Sequence, residues 1–251
     1  MRTDLDAGLW LRRFHPSQEA TARLVCFPHA GGSAAFYFSL SAFLHPQVEV
    51  VAVQYPGRQE RHAEAPAPDI ETLAEAVSAV LAPSWDTPTA FFGHSMGALV
   101  AYETARLLRA GSGTAPTEFF ASGRRAPSAL RDERLHLAAD RDLLAELVRQ
   151  GGTPQAVLDD PELVELILPA LRADYRAVET YRHRPGAPLD TPVTVLVGTD
   201  DPKVTPAEAH AWQDHTTGPT EVLTFSGGHF FVLEHRDRIG ALVRDRLAQR
   251  S

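Results

Sequence analysis

A serine between two glycines is the residue of this sequence best suited to nucleophilic chemistry. Residues Gly93–Gly97 read Gly-His-Ser-Met-Gly, which fits the Gly-x-Ser-x-Gly pattern of a nucleophile elbow. The apolar run Thr89–Phe92 comes directly before this pattern, and a helical pattern begins directly after it. Glycines permit a sharp strand-to-helix turn that lifts the hydroxyl to a helix N-terminus, where negative charge is stabilised. We therefore predict that Ser95 is a nucleophile.

A serine nucleophile needs a base to take its proton and a carboxylate to orient that base. His229 follows the last apolar run through a Ser-Gly-Gly loop, from which a side chain can reach back to the serine. Two adjacent carboxylates, Asp200 and Asp201, follow the preceding apolar run. Asp201 stands far enough around the turn to point inward, whereas Asp200 suits the capping of a turn. The predicted catalytic set is Ser95, Asp201 and His229, in a chain order known for such sites.

The negative oxygen formed during acyl transfer needs backbone N–H donors. The N–H of Met96, directly after the nucleophile, is the first candidate. The N–H of Ala30 is the second, in the glycine-rich loop Pro28–Gly32 that follows the first central strand. His29 could act in catalysis, but its position favours a role in shaping this loop.

The elements that position these residues are read from alternating apolar runs and helical patterns. Six runs are rich in Val, Leu and Phe, and several lack the polar alternation of half-exposed strands, as expected for parallel strands buried on both faces. They are Arg23–Phe27, Val48–Gln54, Thr89–Phe92, Glu118–Ala121, Val193–Val197 and Glu221–Phe225. Leu9–Phe14 is a candidate antiparallel edge strand. Together they predict an α/β fold with a mostly parallel central sheet flanked by helices, the α/β-hydrolase fold.

Helices are predicted between these strands from apolar spacing, caps and helix-breaking residues. They cover residues 70–81 after the cap Asp69, residues 96–110 with an end at Gly111, residues 205–215 and residues 231–249.

Residues 124–188 interrupt the alternation and contain no convincing strand. Asp140 is a candidate cap for a helix that ends at the Gly-Gly pair 151–152. Asp160 and Pro161 open a longer helix, which Pro169 should kink or divide. We expect residues 1–123 and 189–251 to form the core and residues 124–188 a helical lid. The apolar residues of this insertion either line an acyl site or pack its helices together.

Composition limits the classes of function. The 251 residues are 44% apolar and carry a net charge of -8, which disfavours non-specific nucleic-acid binding. The single cysteine, Cys26, excludes an intramolecular disulfide and a cysteine-based zinc site, and a buried strand position is expected for it. No apolar run reaches about 18 residues, so no membrane span is expected. The first residues lack the apolar core of a signal peptide, and we expect a cytoplasmic protein.

Five short segments are more particular than the elbow alone. They are Phe27–Gly32 (FPHAGG), Tyr55–Arg58 (YPGR), Gly93–Gly97 (GHSMG), Ser122–Arg124 (SGR) and Gly227–Phe230 (GGHF). In combination they resemble the type II thioesterases, stand-alone enzymes that accompany modular polyketide and non-ribosomal peptide synthases. The resemblance extends from about Leu9 to the C-terminus.

The resemblance implies an editing enzyme that hydrolyses stalled or wrong acyl groups from the phosphopantetheine arm of a carrier protein. Ser95 would be the nucleophile, His229 the base and Asp201 the acid, with Ala30 and Met96 as oxyanion donors. No metal or organic cofactor is expected, because a thioester is already reactive. We expect a monomer whose partner is an acyl-loaded carrier protein. Four arginines could meet a phosphate or an acidic carrier, or lie on the solvated surface: Arg58, Arg61, Arg124 and Arg125.

Three other functions remain open at this stage. A small-molecule esterase or lipase could use the same residues, and an acyltransferase would replace water with an alcohol or amine. The third alternative is a protein that docks carrier proteins without catalysis, which a complete set of Ser95, Asp201 and His229 argues against.

Overall fold

A seven-stranded sheet forms the centre of the computed structural model, which describes residues 6–85, 87–152 and 155–249. The strands are β1 (Leu11–Arg12), β2 (Ala22–Phe27), β3 (Val48–Val53), β4 (Thr89–His94), β5 (Phe119–Ser122), β6 (Val193–Gly198) and β7 (Thr220–Phe225). Their order is β1-β3-β2-β4-β5-β6-β7, with β1 antiparallel to β3 and all other pairs parallel. The predicted mostly parallel sheet is confirmed, and β4, the strand before the predicted nucleophile Ser95, lies at its centre.

Ten α-helices within the described ranges connect and cover the strands. They are α1 (Ala7–Trp10), α2 (Phe38–Leu44), α3 (Ile70–Leu81), α4 (Met96–Ser112), α5 (Asp140–Gln150), α6 (Gln155–Leu158), α7 (Pro161–Thr180), α8 (Pro206–His210), α9 (Phe231–Glu234) and α10 (Arg236–Ala248). Short 3-10 helices span Ala34–Tyr37, Gln59–Arg61, Ala82–Ser84, Leu135–Leu137 and Ala211–His215.

Several boundaries differ from the sequence prediction. Helix α4 continues past Gly111 to Ser112, and Gly113 caps it. Gly113 has a φ of 70° and donates its N–H to Arg109 O. A left-handed residue suits glycine, and the second glycine therefore takes the capping role. The edge strand predicted over Leu9–Phe14 is only two residues long in the structure, as β1. Its first two predicted residues belong to α1 instead. The predicted last helix is divided at His235 into α9 and α10.

The core has two layers because both faces of the sheet are apolar. Alternate strand side chains point to opposite faces, so that Val25 and Phe27 pack with α3 and α4, while Leu24 and Cys26 pack with α2 and α10. Cys26 is fully buried, as expected, and burial raises the pKa of its thiol. These layers hold the carboxyl ends of the parallel strands in fixed relative positions.

The segment between β5 and β6 carries α5, α6 and α7. Asp160 caps α7 by accepting from the N–H groups of Glu162 and Leu163, as predicted. Asp140, in contrast, is the first residue of α5 rather than its cap, which is Ala139. Helix α7 continues across Pro169 without division.

The apolar side chains of this segment pack mainly on one another. Its small core contains Leu143, Leu147, Leu171 and Tyr175. Of the two roles considered for the leucines of this segment, lining an acyl site or packing its helices together, the structure therefore favours packing for Leu143, Leu147 and Leu171. No helix in the described part of the chain is both long and apolar enough to cross a bilayer.

Candidate active site

Ser95 lies at the sharp turn between β4 and α4. Its φ of 53° and ψ of -116° are strained for a residue with a side chain. The Ser95 N–H donates to Ser122 O at 2.8 Å, which ties the turn to β5. A Cβ on Gly97 would lie 1.9 Å from Phe27 O, and one on Gly93 would lie 2.4 Å from backbone atoms of the helix. Only glycine fits at both positions, which explains the spacing of the elbow.

His229 lies within hydrogen-bond distance of both predicted partners. Its Nε2 is 3.0 Å from Ser95 Oγ, and its Nδ1 is 2.9 Å from Asp201 Oδ2. An ionised carboxylate only accepts hydrogen bonds, so Nδ1–H donates to Asp201 and the unprotonated Nε2 can accept from the serine hydroxyl. The structure thus brings together three residues that lie up to 134 positions apart.

The two adjacent aspartates have different surroundings. The Asp201 side chain is fully buried, and its Oδ1 accepts from the Lys203 N–H at 2.8 Å. Asp200 is exposed and accepts from Thr199 Oγ1 at 2.9 Å. Asp201 therefore contacts His229, and Asp200 has the local turn contact expected of a capping carboxylate.

The two predicted oxyanion donors have free backbone N–H groups. Met96 is the first residue of α4, a position whose N–H has no partner within its helix. Ala30 precedes Gly31, which has a φ of 75° and donates its N–H to Asp174 Oδ2 at 2.8 Å. Within the described residues, neither the Ala30 nor the Met96 N–H donates to a protein acceptor.

Two further histidines pack beside His229 and stay neutral. Burial and then the nearby positive charges of His229 and Arg58 together lower the pKa of His29 to about 3. Burial likewise lowers the pKa of His94, whose Nδ1 lies 3.0 Å from Ser122 Oγ. His29 shapes the loop of Ala30, as expected, since its ring occupies the space beside Gly32.

A small cavity of about 40 Å³ lies over Ser95. Charged and polar side chains form much of its lining. The lining residues are His29, Ala30, Ser95, Arg124, Arg125, Glu133, Gln150, Tyr175, Val178, Glu179, Lys203, His229 and Phe230. In the described part of the chain, no three His, Cys, Asp or Glu side chains are grouped as a metal site.

An ion pair that the sequence did not indicate joins the helical segment to the loop Pro28–Gly32, the predicted oxyanion loop. Arg58 Nη1 and Nη2 donate to Asp174 of α7 at 2.6 and 2.9 Å, and both side chains are buried. Asp174 also accepts from Gly31, and Arg58 Nη1 donates to Gly32 O at 3.1 Å. The sequence signal for this pair was weak: Asp174 is an acidic residue among the largely apolar buried residues of α7, which also include Glu179.

The four arginines singled out from the sequence are all buried, so the solvated-surface interpretation is wrong for them. Arg58 binds Asp174, Arg61 binds Glu64 and the carbonyl of Gln54, and Arg125 binds Glu133. These pairs leave three of the guanidinium groups committed to the protein itself. Arg124 and Arg125 both line the cavity over Ser95, but the buried Nε of Arg124 has no hydrogen-bond partner within the described residues.

Comparison with known proteins identifies the family. The sequence profile of the thioesterase domain matches residues 22–249. A probable cadicidin biosynthesis thioesterase of Streptomyces griseus is 50% identical over 245 residues, which cover 97% of this chain and 67% of the relative. Thioesterase PikA5 of Streptomyces venezuelae is 49% identical, with 97% of this chain and 87% of the relative covered.

A solved structure gives the same result. The type II thioesterase BorB from the borrelidin biosynthetic cluster superimposes with a TM-score of 0.89 and 48% identity, covering 98% of this chain and 100% of that chain. The predicted resemblance and the α/β-hydrolase fold are confirmed. The chain belongs to the thioesterase family, and it is a thioester hydrolase akin to the type II thioesterases of polyketide and non-ribosomal peptide pathways.

Proposed function

We propose that this thioesterase removes acyl groups from the phosphopantetheine thioester of carrier proteins, with Ser95, His229 and Asp201 as its catalytic triad. The observation that carries the proposal is the continuous contact from Ser95 Oγ to His229 at 3.0 Å and from His229 to Asp201 at 2.9 Å. The carrier-protein substrate is favoured because similar solved structures include the type II thioesterase YbtT of the yersiniabactin NRPS/PKS pathway and ClbQ of the colibactin NRPS/PKS pathway.

In the first half of the reaction, Ser95 Oγ attacks the thioester carbonyl carbon, and its proton passes to His229 Nε2. The resulting oxyanion accepts from the Ala30 and Met96 N–H groups. When the intermediate collapses, the C–S bond breaks and the leaving sulfur takes the proton from His229. An acyl ester on Ser95 remains.

In the second half, His229 takes a proton from water, and the hydroxide attacks the acyl ester. The bond to Ser95 Oγ breaks, and the oxygen recovers the proton from His229. Asp201 stays ionised, holds Nδ1–H and stabilises the imidazolium in both halves. The released product is a carboxylic acid, and Ser95 returns to its starting state.

The helical segment at 124–188 would act as a lid in this scheme. The cavity over Ser95 has about 40 Å³, whereas sites for organic ligands typically occupy about 300–1,000 Å³. A phosphopantetheine arm with its acyl group needs a wider site than this cavity, and displacement of α5 and α7, which contribute to its lining, would provide one. Hydrogen exchange should be faster in these helices than in β4, and equal protection of both would contradict a mobile lid.

The test of function measures how fast the purified chain hydrolyses each of three substrates. They are an acyl-loaded carrier protein, the same acyl group on N-acetylcysteamine, and a simple oxygen ester. Intact-protein mass spectrometry measures loss of acyl from the carrier. We expect the carrier thioester to have the highest kcat/KM, and Ser95→Ala to reduce hydrolysis to background while carrier binding persists. The exposed Ser39→Ala is the matched control.

Other outcomes would assign other functions. Preference for the oxygen ester would favour an esterase, and transfer of acyl to an added alcohol or amine would favour an acyltransferase. Hydrolysis retained in Ser95→Ala would refute the mechanism. Sedimentation of the free chain tests the proposed monomer.

A further inference from the structure

Lys203 is the only lysine in a chain that otherwise uses arginine for its cationic side chains. It lies in the turn after β6, just beyond Asp201, and its side chain lines the cavity of the candidate active site. Its Nζ is 2.8 Å from Glu146 Oε1 and 3.7 Å from Glu133 Oε1. Both carboxylates belong to the helical segment 124–188, so an ion pair joins this segment to the turn that carries Asp201.

The ion pair between Lys203 and Glu146 connects helix α5 to the core of the fold. Within the described residues, no other hydrogen bond or ion pair joins α5 to a residue outside 124–188. The other side-chain partners of Glu146 are Arg149 and Gln150, which lie in α5 itself. Burial raises the pKa of Glu146, but these hydrogen bonds outweigh it and lower the pKa below its usual value. The Glu146 carboxylate is therefore ionised at neutral pH and attracts the ammonium group.

The backbone of Lys203 holds the proposed triad acid. Its N–H donates to Asp201 Oδ1 at 2.8 Å, while Asp201 Oδ2 lies 2.9 Å from His229 Nδ1. Pro202 separates the two residues, and its fixed φ stiffens the turn between them. Lys203 thus contacts helix α5 through its side chain and Asp201 through its backbone, and both contacts depend on the placement of the same short turn.

We propose that Lys203 is a positioning residue that couples closure of the lid to the placement of Asp201. The proposal rests on the proposed function, in which Asp201 belongs to the triad and segment 124–188 is the lid. With Glu146 paired, α5 stays over the cavity and the Lys203 N–H stays on Asp201, so the closed enzyme is the catalytic form. Opening of the lid to admit the acyl arm separates the pair and loosens Asp201 until the lid returns. A compact ammonium on a flexible stem suits a contact that is broken and remade in each turnover.

Chemical rescue at position 203 tests this coupling. Lys203→Cys removes the ammonium, and alkylation of the introduced thiol with 2-bromoethylamine restores an ammonium at nearly the original length. The natural Cys26 is fully buried, which protects it from the reagent. Alkylation with iodoacetamide adds a neutral group at the same place and is the matched control.

In Lys203→Cys, hydrogen exchange in α5 should be about tenfold faster, as expected for loss of a hydrogen bond between charged groups. The kcat for an acyl-loaded carrier protein should fall roughly tenfold without a rise in KM, well short of the loss of about 10⁴-fold expected when the Asp201 carboxylate is removed. Alkylation with 2-bromoethylamine should restore both quantities, and iodoacetamide should restore neither. Arg141→Gln, with an exposed side chain on the same helix, should leave both unchanged.

Glu146→Gln breaks the same pair from the side of the lid and keeps the test decisive if Lys203→Cys does not fold. Unchanged exchange in α5 or unchanged kcat in either folded variant, even with a lower melting temperature, would overturn the coupling and leave the thioesterase function standing. Equal rescue by the neutral reagent would overturn it as well, because the ion pair would not be the cause. Absence of carrier-thioester hydrolysis by the wild type would instead remove the proposed function and the coupling with it.

Discussion

Asp174→Asn should impair both stability and catalysis, because this carboxylate links helix α7 to the oxyanion loop. Asp174 accepts two hydrogen bonds from Arg58 and one from the Gly31 N–H, all between 2.6 and 2.9 Å. An amide has one acceptor oxygen and no charge, so the buried Arg58 loses its counter-ion. Breaking a buried ion pair costs about 3–5 kcal/mol. At about 2–4 °C per kcal/mol for a protein of this size, the melting temperature should fall by roughly 6–20 °C.

The catalytic effect follows from the position of Gly31 next to Ala30. In Asp174→Asn the single uncharged amide oxygen replaces a carboxylate that accepts from both Arg58 and the Gly31 N–H, so the contact that holds the loop presenting the Ala30 N–H is weakened. Loss of one oxyanion donor typically lowers kcat by about 10²–10³-fold. Single-turnover hydrolysis of an acyl thioester measures this step, and the exposed Glu165→Gln on the same helix is the matched control.

A double variant separates the two effects. Arg58→Met with Asp174→Leu removes both charges and fills similar volume, so much of the lost stability should return. The Gly31 N–H still lacks an acceptor in this variant, and kcat should therefore stay low. Wild-type kcat in folded Asp174→Asn, or recovery of kcat together with stability in the double variant, would refute the coupling between α7 and the oxyanion loop.

Three further predictions concern the triad, the buried histidine and the elbow. Asp201→Asn should lower kcat by about 10⁴-fold, while Asp200→Asn stays near wild type; equal losses in a kinetic comparison would contradict the assignment. The folded-state pKa of His29, about 3, lies below its ordinary value of 6.5, so the unfolded chain binds the extra proton and stability falls as the pH falls between these values. This histidine contributes a slope of up to about 1.4 kcal/mol per pH unit; urea unfolding of His29→Gln should give a shallower pH dependence, and an unchanged one would count against it. Gly97→Ala should prevent folding, since its Cβ would lie 1.9 Å from a carbonyl oxygen, whereas Gly111→Ala meets nothing within 4 Å and should stabilise α4 by about 0.5–1 kcal/mol in thermal unfolding.

Much of the fold could be predicted because its strands are short apolar runs between breakers. Strands β2 to β7 lie within two residues of the predicted limits, and α3 begins and ends where its cap and apolar spacing indicate. Helix ends were less predictable because competing residues can serve as caps. Gly111 and Gly113 both suit a helix end, and the structure uses the second.

The predicted catalytic residues were accessible to sequence reasoning because each follows a strand closely. Parallel strands end at the same edge of the sheet, so Ser95, Asp201 and His229 are brought to one place by the fold itself. Asp174 was not accessible in this way, because it lies in the middle of a helix and belongs to no motif. Its contacts with Arg58 join residues 116 positions apart.

The sequence by itself determined the sharp turn at Ser95, the order of the proposed triad residues and the alternation that builds the sheet. These features depend on neighbouring residues, whose backbone preferences and apolar spacing act locally. Only the tertiary structure decided that three of the four arginines have acceptors and that Arg124 has none among the described residues. Ion pairing depends on distances of a few ångströms between segments remote in the chain, which the spacing of residues along the sequence does not determine.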